Sequence, residues 1–228
     1  MGTTPIFKIF KYALGDLWNP ITESQLQANS IESAMKGMPA YVADATERDA
    51  RFGTTPVDGS SCWRADKQWE ERYFSIVSSS NPSGTAVAGW YPIAGNLPVY
   101  TGRDATSAIT TVAGTNVFLP VSTVLRQKDI TVRADNSLNI PVTGLYDISG
   151  SFYADQGNSQ TRLYISGALS GVAKVLAIGS FVEGLCMGGL TGLYLKAGDS
   201  IGVSGVTSGA GNITTIYRTL SCRYVGPA

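Results

Sequence analysis

Between Gly144 and Ala154 polar and apolar residues alternate. Tyr146, Ile148 and Phe152 take one parity, and Asp147, Ser149 and Ser151 take the other. A period of two predicts a strand with one dry and one wet face. Similar runs, punctuated by Gly, Asn, Asp and Ser, predict strands over 116–121, 130–132, 137–140, 144–154, 161–166, 173–182, 185–195, 200–206 and 212–225. No helical period separates them. The C-terminal half therefore reads as an antiparallel sandwich or barrel, and this many short strands fit a jelly roll. Two turns within it carry a mechanism. Pro141 to Gly144 turns the chain into the alternating strand, and Tyr146 sends its ring inward with its hydroxyl to a partner. Ala197-Gly198-Asp199 is a tight turn in which Gly supplies positive φ and Asp closes through its side chain. The polar loop from Asp155 to Thr161 is either a tip that touches something or only a turn.

The N-terminal part has a different pattern. Residues 5–18, "PIFKIFKYALGDLW", mix aromatics with Lys8 and Lys11. They read as a docking peptide, as an arm packed on its own domain, or as a membrane-surface segment. Asn19-Pro20 starts a helix expected to run to Lys36 and stop at Gly37. Its apolar spacing, Ile21, Ser24, Ala28, Ile31 and Met35, makes a two-repeat seam, too short to hold an oligomer alone. Asp44 caps a second short helix ending at Phe52, with Glu47 three residues on. Residues 59–74 read as a hairpin turning at Ala65 to Gln68. Trp63 and Trp69 flank that turn, as its own small core or, alternatively, as a ligand-stacking pair. Residues 78–107 are rich in Ser, Pro and Gly and read as a linker into an edge strand. The expected organisation is thus an attachment region over 1–77, a linker over 78–107, and a sandwich over 108–228 that folds alone.

Composition narrows the function. Lys and Arg number 17, as do Asp and Glu, so nothing points to nucleic acid or to an anionic membrane. Charged residues are 15% of the chain, well below the roughly 25% of an average domain. A surface with so little charge suggests burial against sister subunits. Histidine is absent, which removes the usual general base, the Ser-His and Cys-His pairs, and the commonest metal ligand. Glu70 and Glu71 are adjacent and point opposite ways on a strand, a poor acid–base dyad. The expectation is no enzyme, no catalytic or metal residues and no cofactor. Cys62, Cys186 and Cys222 are odd in number and far apart, so free thiols and assembly in a reducing cytoplasm are expected. No run approaches a membrane span.

Two resemblances give this a context. "ADATERDARFGTTPVDGSSCWRADKQWEERY" resembles a short module of tailed-bacteriophage minor tail and fibre proteins, a helix followed by a Pro-containing turn and a Trp-bearing hairpin. "IPVTGLYDISGSFY" and "LTGLYLKAGDSIGVSG" resemble, in order and spacing, strands of the complement-globular-head and tumour-necrosis-factor superfamily. "TIYRTLSCRYVG" stands where that superfamily has its last strand, though with fewer aromatics. The resemblance covers residues 116–228. It implies a jelly roll and a homotrimer packing apolar strand faces around a three-fold axis.

Together the two imply a virion structural protein, a homotrimeric tail fibre, spike or tail-tip component with an outward knob that binds the host surface. A head fibre or capsid decoration protein is the alternative. The arm residues Phe7, Phe10, Tyr12 and Trp18 would dock on another virion protein. Ile216, Tyr217 and Leu220 would line the trimer interface. Asp155, Gln156, Asn158 and Gln160 would meet a host glycan.

Overall fold

The computed structural model describes residues 2–3, 10–11, 24–30, 38–75, 88–104, 107–111, 117–155, 162–178, 180–182, 185–206 and 211–227. Two short strands, β1 (Gly2–Thr3) and β2 (Phe10–Lys11), pair with each other. Helix α1 covers 24–30, where Ser24, Leu26 and Ala28 are exposed and so are not part of this chain's own core. Ile21, Ile31 and Met35, the rest of the expected seam, lie outside the described residues.

A small module follows. β3 (Ala40–Val42), α2 (Ala45–Phe52), β4 (Ser61–Arg64), β5 (Trp69–Phe74) and β6 (Gly89–Gly95) build a four-stranded sheet in the order β3-β4-β5-β6, covered by α2. The helix starts where the sequence places it. Asp44 Oδ1 accepts from the Glu47 amide at 3.0 Å, and Glu47 Oε2 reaches back to accept from the Ala43 amide at 2.6 Å. Trp69, next to the turn, is buried, whereas Trp63 stays 37% exposed. The pair is therefore not one shared core.

The remaining strands form two layers. In chain order they are β7 (Val99–Asp104), β8 (Ser107–Thr111), β9 (Val117–Phe118), β10 (Thr123–Lys128), β11 (Thr131–Val132) and β12 (Leu138–Asn139). Then come β13 (Gly144–Asp155), β14 (Arg162–Leu169), β15 (Val172–Ile178), β16 (Ser180–Val182), β17 (Leu185–Leu195), β18 (Ser200–Val206) and β19 (Gly211–Gly226). One sheet runs β10-β7-β19-β13-β17-β16, with β8 pairing β19, and the other β11-β12-β18-β14-β15, with β9 pairing β18. All pairs in both sheets are antiparallel, as a jelly-roll sandwich requires.

The core lies between these sheets, with Tyr100, Leu119, Ile130, Leu138, Ile140, Tyr146, Ile148, Ile165, Leu195, Ile201, Leu220 and Cys222 each at most 2% exposed. Close approach of the layers depends on Gly150, where an added Cβ would stand 2.1 Å from Val203 Cγ2 of the opposite sheet. Both motif turns behave as the sequence predicts. Gly198 has φ 90, and the Asp199 carboxylate accepts from the Lys196 amide at 2.8 Å and the Ser170 amide at 2.7 Å. Tyr146 is fully buried, packs edge-on against Tyr224 at 5.4 Å, and donates its hydroxyl to the Val142 carbonyl at 2.7 Å. Burial holds its phenol far above the ordinary range. Tyr146→Phe is expected to cost about 1–2 kcal/mol, because it leaves the Val142 carbonyl without this donor; urea unfolding of the variant measures it.

The described part of the expected linker, 88–104 and 107, holds β6, β7 and the first residue of β8. β6 completes the small sheet, and β7 lies inside the larger sandwich sheet between β10 and β19. The sandwich therefore begins before residue 108. Nor is the small module a detached arm. Tyr91 of β6 packs against Leu145 and Tyr194 of the sandwich, and Lys67 Nζ meets Asp129 Oδ1 at 2.7 Å.

Candidate self-association face

Alternation decides what each face of β13, β17 and β19 presents. Along β19, Arg218, Leu220, Cys222 and Tyr224 turn inward, while Tyr217, Arg223 and Val225 are exposed. Tyr153 of β13 faces Tyr217 across the ladder, and Ser151, two residues back, faces Met187 of β17. Tyr153, Met187 and Tyr217 are 42%, 63% and 45% exposed, so three large side chains crowd one end of the outer face of this sheet. Scattered exposed apolar residues need no explanation, but a contiguous cluster does.

Next to the cluster the face is made of small residues. Ser149 pairs with Gly189 on one side and with Ser221 on the other. The result is a shallow depression of about 380 Å³ lined by Asp147, Ser149, Gly189, Leu190, Thr191, Ser221 and Arg223 among others. Its polar groups are held in place. Asp147 Oδ2 accepts from Arg223 Nη2 at 2.8 Å, and Asp147 Oδ1 accepts from the Gly192 amide at 3.0 Å. The Arg223 hydrogen bond, then that amide, lower the Asp147 carboxyl below its usual range. Ser151 and Thr219 hydroxyls pair at 2.6 Å. One face thus carries a bulky knob beside a hollow rimmed by a fixed ion pair. Such a face suits contact with a copy of itself, knob into hollow.

A second concavity of about 380 Å³ lies between the small sheet and the sandwich, lined by Arg64, Lys67, Trp69, Glu71, Trp90, Tyr91, Pro141, Val142, Thr143 and Ala197 among others. Apart from Lys67, which pairs with Asp129, its charges are committed to one network. Glu71 accepts from Arg64 Nη1 at 3.1 Å, from Arg48 Nη1 at 2.6 Å and from Trp69 Nε1 at 2.8 Å, while Arg64 Nη2 also meets Asp66 Oδ2 at 2.7 Å. Arg48 further stacks over Trp90 at 5.2 Å. This network clamps α2 onto the hairpin. Among the described residues no group of three or more His, Cys, Asp or Glu side chains is arranged to hold a metal ion.

The residues expected at the interface separate. Tyr217 stands in the exposed cluster, but Leu220 is 1% exposed in the subunit's own core and cannot line a trimer axis. Three residues along a strand is an odd step, which sends the two side chains to opposite faces. The side chain of Ile216 lies outside the described residues. Sequence reasoning missed Tyr153 and Met187. Tyr153 carried a signal, being an aromatic that follows Asp147, Ser149 and Ser151 on one parity of β13. Phe7, Tyr12 and Trp18 lie outside the described residues, and of Phe10 only the β2 backbone is described. Gln156, Asn158 and Gln160 are likewise outside, and Asp155 is described only as the β13 residue opposite Thr214. Cys62 and Cys222 are free and buried, their thiols pushed up by burial to about 11 and about 12 respectively; the side chain of Cys186 is outside the description.

No family model matches this sequence, and no curated protein matches it. Solved structures do. An Eiger TNF from S. frugiperda is similar at 13% identity over 57% of this chain and 95% of that one, with a TM-score of 0.44. The globular domain of zebrafish complement 1qA is similar at 12% identity, over 56% of this chain and 97% of that one, with a TM-score of 0.43. Murine APRIL is similar at 14% identity, over 57% of this chain and 99% of that one, with a TM-score of 0.45.

Proposed function

We propose that this chain is a structural virion protein of a tailed bacteriophage, a homotrimeric fibre, spike or tail-tip component whose jelly roll faces outward toward the host surface. The carrying observation is the knob beside the hollow on the outer face of β13, β17 and β19. A knob beside a hollow on one face is complementary to a copy of itself, and the three-fold arrangement is what the superfamily resemblance implies. The low charge content fits burial of that face. The phage context rests on the resemblance of the helix–hairpin module.

The direction of the molecule also supports the reading. The small module packs at the end of the sandwich holding Pro141 to Thr143 and Ala197. The chain leaves β13 at Asp155 and enters β14 at Arg162 at the opposite end, where β18 also ends opposite Arg162. The small module and the Asp155 end of β13 thus lie at opposite poles of the sandwich. In this reading the arm docks on another virion protein, the outer pole meets a host-surface glycan, and no catalysis is involved.

The test is a pair of variants, Met187→Lys and Tyr217→Lys, followed by sedimentation and by incorporation into particles. Both side chains are exposed, so each variant is expected to keep the native circular dichroism, sediment as a monomer at micromolar concentration and be lost from particles. A parent chain that is itself monomeric, or variants that assemble normally, contradict the reading.

A further inference from the structure

The outer face of the small sheet carries an aromatic surface that the self-association reading does not use. Tyr41 of β3 and Trp63 of β4 are register partners in a parallel pair, so their side chains stand side by side on one face. The other face takes Val42, Cys62 and Arg64, all buried. Tyr41 is 67% exposed and Trp63 37%. The indole does not stand upright. Its Cη2 lies 3.3 Å from where a Cβ on Gly95 would be, so the ring reaches across β5 and over a residue that has no side chain. The rim is polar, since Glu70 pairs with Trp63 across β4 and β5, and Arg72 Nη2 stands 3.9 Å from Glu70 Oε1.

We propose that Tyr41 and Trp63 form a stacking platform for a pyranose saccharide, with Glu70 and Arg72 supplying hydrogen bonds to its hydroxyls. Flat rings flanked by one acceptor and one donor group match a sugar ring, which offers an apolar C–H face and polar edges. The size of the patch argues against a protein partner. Two side chains cover far less than the roughly 1,200–2,000 Å² of a stable interface. Stacked bases would also fit the rings, but a nucleic acid needs cationic surface. Here one Glu offsets one Arg, and the whole chain has net charge zero.

The experiment titrates the full chain with cello-, chito- and malto-oligosaccharides and with a single-stranded oligonucleotide, read by tryptophan fluorescence and calorimetry. At least one saccharide is expected to bind in the micromolar to millimolar range. Trp63→Ala and Tyr41→Ala are each expected to weaken that binding about tenfold or more. Trp63→Phe should retain part of it, and Val57→Ala, another exposed site, should leave it unchanged. Circular dichroism checks that each variant is folded. Absence of binding by all three saccharides at millimolar concentration overturns the proposal. So does an affinity indifferent to Trp63, or a preference for the oligonucleotide. None of these outcomes depends on the oligomeric state.

Discussion

A chain beginning at Ala108 is expected not to fold, although the alternating strands after that residue promise an independent domain. The deletion removes β7, which pairs with β19 from Asp104↔Arg218 to Val99↔Arg223 and is also the partner of β10. It takes away Tyr100, fully buried with its hydroxyl on the Val121 carbonyl at 2.7 Å. It also removes Asp104, whose carboxylate meets the 1% exposed Arg218 at 2.6 Å. Loss of a buried ring costs about 3–5 kcal/mol, and loss of one partner of a buried ion pair costs a comparable amount. Together these match the whole stability of an ordinary domain. A chain beginning at Leu97, which keeps β7, is expected to show cooperative thermal unfolding where the shorter one shows none. Equal cooperativity in the two chains would mean that β7 is dispensable.

Glu71→Ala is expected to be the most damaging single substitution in the small module. Glu71 is 4% exposed and serves Arg64, Arg48 and Trp69 together. Its removal leaves Arg64, itself 6% exposed, without its buried counter-charge. Breaking a buried pair from one side costs about 3–5 kcal/mol. Glu71→Gln keeps an acceptor for Trp69 and should cost clearly less. Both are measured by denaturant unfolding, and equal, small effects would show that the network is not what joins α2 to the hairpin.

The strands that the sequence reveals are those with a core to face. β17 and β18 have the expected bounds, and β13 differs by one residue at its end, because Tyr146, Ile148, Leu195, Ile201 and Val203 mark the buried parity. β10 was invisible for the opposite reason. Thr123 to Gln127 are all exposed, and a register shift between Val124 and Arg126 breaks its period. β6 carries Gly89, Pro92 and Gly95, which read as linker, yet an edge strand tolerates proline. The candidate face was half legible. Tyr217 is exposed on the outer face, while Leu220, on the other parity, is buried in the subunit's own core. Met187 hid in a run of β17 where Leu and Gly blur the alternation. No local pattern could show that β13 and β19 bring Tyr153 against Tyr217, because that contact depends on long-range register.

The central claim is a contact in which the knob of one copy enters the hollow of the next, and inter-chain disulfide trapping tests it most directly. Tyr153→Cys places a thiol on the knob, and Ser221→Cys places one in the hollow. Ser221 faces Ser149, four residues along β13 from Tyr153, roughly 13 Å at strand spacing. That is too far for a disulfide within one chain. Under mild oxidation, the chain carrying both substitutions is expected to run as covalent dimers and closed trimers on a non-reducing gel, with either single variant and the parent chain as controls. Only monomers, dimers without trimers, or the same bands from a single variant would contradict a knob-into-hollow trimer.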